Sequence, residues 1–169
     1  MTGSPRDTPG PVIEYRRLEA PVALPDDVLC AVTFGARSES VDDPRCVRVG
    51  LEPLAGGGLV EVWHASGRVH RGYDGLVRYT HDEHHLAAAI EIDESRYGGI
   101  AAAAQVAYAA MASFQAAVQF PQVLRVWNYF DAINEGDGDG ERYRQFCVGR
   151  TAGLGDALAK PYPAATAIG

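Results

Sequence analysis

Cysteine is scarce in this 169-residue sequence: Cys30, Cys46 and Cys147 stand far apart, and no CxxC pair occurs. That spacing argues against a disulfide framework and a zinc site, and fits a reducing, cytoplasmic setting. Basic charge is also short. A formal net charge of -7 leaves no positive stripe to displace counterions, which argues against a nucleic-acid partner. It leaves room for a small anionic ligand, because a few nearby arginines outweigh distant charge. The N-terminus, Met1 to Asp7, lacks the apolar core of a signal peptide. Between Gly98 and Leu124 there is no charge at all, but the run is built on alanine and broken by Gln105, Gln115, Gln119 and Gln122. Such a run buries against protein more readily than it inserts into lipid, so no membrane partner is expected. No internal repeat is visible.

The composition that remains, 47% apolar and 22% charged, is that of an ordinary globular chain long enough for one domain. Residues 1–11 are Gly, Pro and polar and read as a disordered tail, leaving 12–169 as the domain. Val12–Leu18, Val28–Phe34 and Cys46–Leu51 are β-rich runs, and Gly56-Gly57-Gly58 predicts a hairpin from the last of these into Leu59–Trp63. Val69–Tyr73, Leu76–Thr80 and Leu86–Ile92 complete a strand-rich first half. From Gly98 the period changes: Ile100, Ala104, Ala107, Met111, Phe114 and Val118 recur at helical steps, and Pro121 ends the run. Val123–Tyr129 reads as a central strand, with Trp127 in the core. A second helix follows, with Asp139 as its N-cap and Tyr143, Phe146 and Cys147 on its buried face. Ala165–Gly169 looks like the opening of a strand, so the last strand is expected to be truncated and the polypeptide to be a fragment.

Local motifs carry little chemistry. His81-Asp82-Glu83-His84-His85 joins two strands, where adjacent histidines splay to opposite faces, so a turn is expected and no metal. In Glu135–Gly140 the calcium-loop glutamate would fall on Phe146, which leaves a turn before a helix. Cys147 lies near Arg144 and Arg150 but reads as a packing cysteine. Gly56–Gly58 has no helix behind it to cradle a phosphate. No Ser–His–Asp grouping follows from the spacings, no catalytic residue is assigned, and no cofactor is called for. The arginines are more informative. Arg125 lies beside the aromatic strand, and Arg142, Arg144 and Arg150 crowd one short helix. Their planar forks suit carboxylates, whether a ligand's or those of Glu135, Asp137 and Glu141.

Leu124-Arg125-Val126-Trp127-Asn128-Tyr129, Ile133-Asn134-Glu135, Glu141-Arg142-Tyr143-Arg144-Gln145-Phe146-Cys147-Val148-Gly149-Arg150 and Tyr162–Gly169 occur in this order. Together they resemble the first half of the chorismatase family, whose members remove the enolpyruvyl group of chorismate. The resemblance covers about the last third of the chain and is looser in the strands before it. It implies an α+β fold in which a mixed β-sheet packs against two helices, like the YjgF/RidA-type domain. It implies chorismate as the small-molecule substrate, giving pyruvate plus a hydroxybenzoate or a dihydroxycyclohexadiene carboxylate. Asn128, Tyr129, Tyr143, Arg144 and Arg150 are the positions it points to for substrate contact. Family members place the catalytic acid in their C-terminal half, so this chain is expected to be inactive alone. A RidA-like binding module that self-associates through an open sheet edge is the alternative. An imine deaminase fits less well, because Ala165 and Thr166 follow Pro163-Ala164 where those enzymes carry an arginine.

Overall fold

Buried and exposed residues alternate along Leu59–His64, which fixes the face that this strand turns to the core. The structure is a computed structural model and describes residues 10–17, 24–35, 43–54, 58–120, 122–155 and 163–169. It divides into two units, Met1–Gly72 with Tyr79–Ala88, and Tyr73–Arg78 with Ala89–Gly169. Residues 1–9 of the expected tail, Leu18, Gly56, Gly57, Pro121 and Tyr162 lie outside the described residues.

In the first unit β1 (Val12–Arg17), β2 (Val28–Phe34), β3 (Cys46–Val49) and β4 (Leu59–His64) form a sheet of order β1-β4-β2-β3. Val60 and Val62 point to one face of β4, and with Val28 and Ala31 they form the buried cluster of this unit. A strand so placed gains a neighbour on each side. β4 pairs antiparallel with both β1 and β2, whereas β3 pairs parallel with β2. The expected hairpin between β3 and β4 is therefore not formed: β2 lies between them. Leu29 bulges out of the β2–β4 register, and its carbonyl accepts a hydrogen bond from the buried Thr80 hydroxyl.

Two ionic groups tie down the loops of this unit. Arg45, only 7% exposed, forks onto the Asp43 carboxylate and donates to the carbonyls of Pro25 and Leu24. Asp82, only 3% exposed, accepts from the backbone N–H groups of His84 at 2.8 Å, His85 at 2.7 Å and Ser66 at 3.3 Å. The His81–His85 segment is thus a turn, as expected, but one organised by its buried carboxylate.

A further sheet has the order β5 (His70–Asp74), β6 (Val77–His81) and β7 (Leu86–Ala89). Gly75, at φ +56, turns β5 into β6.

In the second unit α1 (Ile100–Ala117) packs on α2 (Arg142–Leu154), and β8 (Arg125–Tyr129) runs parallel to β9 (Ala164–Ile168). Ala104, Tyr108 and Phe146 form its buried cluster, with Ile100, Met111, Val126, Phe130, Cys147 and Leu154 packed around them. The helices approach unusually closely. A Cβ at Gly149 would collide with the Ala101 carbonyl, and one at Gly153 with the Gln105 carbonyl. By length and a mean hydropathy of 1.2, α1 has the character of a membrane span, and α2 occupies one of its faces.

The α+β class stands, with two helices but with several sheets where one was expected. Trp127 is corrected from core to surface, at 42% exposed: β8 turns Val126 and Asn128 toward the helices and Trp127 away. Tyr143 is likewise 42% exposed, whereas Phe146 is buried. Asp139 is not the N-cap of α2. Gly138–Gly140 forms a 3-10 turn, and Glu141 takes the cap position without a side-chain bond.

Candidate functional site

The five residues singled out for substrate contact all lie in the second unit, on β8 and α2. Asn128 faces the helices. Its side-chain oxygen accepts from the Tyr108 hydroxyl at 2.7 Å, and its amide nitrogen donates to the Thr166 carbonyl at 3.0 Å. Arg150 spreads its guanidinium over the Tyr108 ring, 5.6 Å from the centroid. At the other end of this chain of contacts Arg125 donates to the Thr166 hydroxyl at 2.9 Å and stacks over Trp127 at 5.2 Å. The sequence Arg150–Tyr108–Asn128–Thr166–Arg125 thus links both helices to both strands.

The arginines divide into two kinds. Arg142 is held by Glu94 at 2.9 Å and Asp131 at 3.2 Å, which pushes its pKa up, the Glu94 hydrogen bond leading. Arg144 is more than half exposed and pairs with Glu141 at 3.2 Å and Asp139 at 3.3 Å. It is a surface ion pair of modest value. Among the described residues no carboxylate pairs with Arg150, which is half-buried over Tyr108.

Two phenols stand beside it. Burial pushes the Tyr108 pKa up, against the opposing pull of Arg150 and the Asn128 bond. The Cys147 thiol beside Tyr143, through charge and a hydrogen bond, raises that phenol too, with Arg150 again opposing. Both remain protonated donors at neutral pH. Tyr143 stacks on Phe146 with centroids 6.4 Å apart, and Phe130 stacks on the same Phe146 ring at 4.8 Å. Tyr129 sits half-buried at the end of β8, opposite Ile168 of β9.

So Asn128 and Arg150 meet through Tyr108, Tyr143 lies one helical turn from Cys147, and Arg144 is turned aside to its own acids. Tyr108 and Thr166 were missed by the sequence reading. Tyr108 had a signal, since it lies four residues after Ala104 on the helical stripe; Thr166 had none, because only strand pairing brings it to Asn128. Among the described residues no group of His, Cys, Asp and Glu side chains is placed to hold a metal ion.

Residues 61–169, which include every member of this cluster, match the family described as "Chorismatase FkbO/Hyg5-like, N-terminal". The chain belongs to the chorismatase family. A chorismatase of Streptomyces hygroscopicus is 36% identical over 114 residues, covering 66% of this chain and 33% of that protein. A 3-hydroxybenzoate synthase of the same organism is 30% identical over 121 residues, covering 70% and 34%. A crystal structure of chorismatase superposes with a TM-score of 0.78 at 28% identity, covering 94% of this chain and 49% of that one. The chain therefore spans about a third of the curated relatives it matches and about half of the solved chorismatase.

Proposed function

We propose that this chorismatase N-terminal domain holds a carboxylate of chorismate and contributes to removal of the enolpyruvyl group as pyruvate, without carrying the catalytic acid itself. The observation that carries the first part is Arg150, a guanidinium braced by Tyr108 with no carboxylate partner among the described residues. Chorismate is a dianion, and a preset planar cation beside neutral phenol donors suits one of its carboxylates.

The second part follows from acid–base chemistry. Protonating an enol ether calls for a general acid whose pKa is raised toward neutrality. Among the described carboxyls, those with displaced pKa values, Glu14, Asp43, Asp82 and Asp93, are all lowered. The acids nearest the arginines, Glu94, Asp131, Asp139 and Glu141, are engaged in ion pairs. On this reading the general acid is supplied from outside these groups. The kinship to the YjgF/RidA-type domain belongs to this proposal, supported by two helices packed on each other and against Val126 of β8. So does a cytoplasmic setting, supported by three free cysteines.

Chorismate titrated into the chain, followed by intrinsic fluorescence, tests the site. Losing a charge-assisted contact costs about 1.5–3 kcal/mol, so Arg150→Met should weaken binding roughly 10- to 100-fold and Arg144→Met hardly at all. Equal binding by wild type and Arg150→Met would remove Arg150 from the site.

A further inference from the structure

β1 is an edge strand with unusual exposure. Among the described residues it pairs with β4 alone, and all six of its residues are exposed, including Val12 at 68%, Ile13 at 44% and Tyr15 at 61%. Among the described residues its outer edge is left with backbone N–H and C=O groups for a further strand. Natural edges are usually guarded by like charges, prolines or bulges, but this one carries both signs. Glu14 and Arg16 lie on one side of the strand, joined by bonds of 2.8 and 2.6 Å, while Ile13, Tyr15 and Arg17 alternate to the other.

We infer that β1 pairs antiparallel with β1 of a second copy of this chain, about a two-fold axis through Tyr15. The register follows from geometry and charge. Alternate residues direct their N–H and C=O outward, so a two-fold axis between identical antiparallel strands passes through a residue, not between two. Centred on Glu14, the pairing opposes Glu14 to Glu14; centred on Arg16, it opposes Arg16 to Arg16. Both place like charges directly across the strands, which is destabilising. Centred on Tyr15, it sets each Glu14 against the other copy's Arg16 and stacks Tyr15 on Tyr15. Ile13 then lies along the apolar stem of the other copy's Arg17. Charge complementarity thus selects both the occupant and the register. One short strand pair buries less than a standard interface, so the dimer forms at high protein concentration and dissociates on dilution.

Sedimentation velocity on the full chain, from about 1 μM to about 1 mM, tests this. The wild type should shift from monomer toward dimer across the range. Glu14→Arg and Arg16→Glu each place like charges across the axis, and each alone should weaken the dimer roughly tenfold or more. An equimolar mixture of the two variants restores every opposite-charge pair and should recover the dimer; recovery also requires both variants to be folded. A wild type that stays monomeric at the top of the range overturns the inference. So does a dimer indifferent to both substitutions, or a mixture of folded variants that fails to associate.

Discussion

The backbone carbonyl of Ala101 occupies the space that a side chain on Gly149 would need. The approach of α1 to α2 is set by this contact and its repeat one turn later at Gly153, and it aligns Tyr108 of α1 with Phe146 of α2, ring centroids 6.0 Å apart. Gly149→Ala must push the helices apart, because the obstacle is backbone and cannot rotate away. The expected cost is about 1–3 kcal/mol, read as a lower Tm, despite the gain in helix propensity. Val148→Ala, at a neighbouring exposed position, should stay within about 0.5 kcal/mol. A Gly149→Ala chain as stable as wild type would mean that the helices are not in this contact.

The Tyr108–Asn128 hydrogen bond makes a second test. Asn128→Leu leaves the buried Tyr108 hydroxyl without its acceptor and takes from the Thr166 carbonyl its side-chain donor. Denaturant unfolding should register a loss of about 2–3 kcal/mol. Tyr108→Phe removes the orphaned hydroxyl, so the double variant should be less destabilised than the two losses added, with a coupling of about 0.5–3 kcal/mol. Simple additivity would separate the two side chains.

Much of this framework is legible in the sequence, and the exceptions share a cause. Val28–Phe34 is a strand as read, because its β-branched run is bounded by Asp26-Asp27 and Gly35. Ile100–Ala117 follows from the helical period. Both signals are local. The parallel pairing of β2 with β3 is not local, and glycines after β3 suggested a hairpin that the insertion of β2 forbids. The arginines teach the same lesson. Glu141 caps α2 and Arg144 lies three residues on, so their pairing is written in their spacing. Arg150 and Tyr108 meet only because two helices pack, and nothing near either residue announces it.

Acid should act on Asp82 in a stated direction. Burial alone would raise its pKa, but the N–H groups of His84, His85 and Ser66, with the His85 charge, outweigh it and hold the carboxyl below its ordinary 3.8. A lowered native value means stability that is present above the unfolded pKa and lost as pH falls through the native one. Asp82→Ala should therefore cost about 3 kcal/mol at neutral pH, and its deficit against wild type should shrink as the pH falls below 3.8. Thermal unfolding from pH 7 down to acid measures this; a deficit independent of pH would show that the charge is not what holds the turn.

The most direct test of the central claim is pyruvate release from chorismate, followed by a coupled lactate dehydrogenase assay. The chain alone should give no pyruvate above background. The chain mixed with the C-terminal segment of the 36%-identical chorismatase should release it, and Arg150→Met should lower that rate. Rapid turnover by the isolated chain would contradict the account, because it would require a catalytic acid that this domain is proposed not to carry.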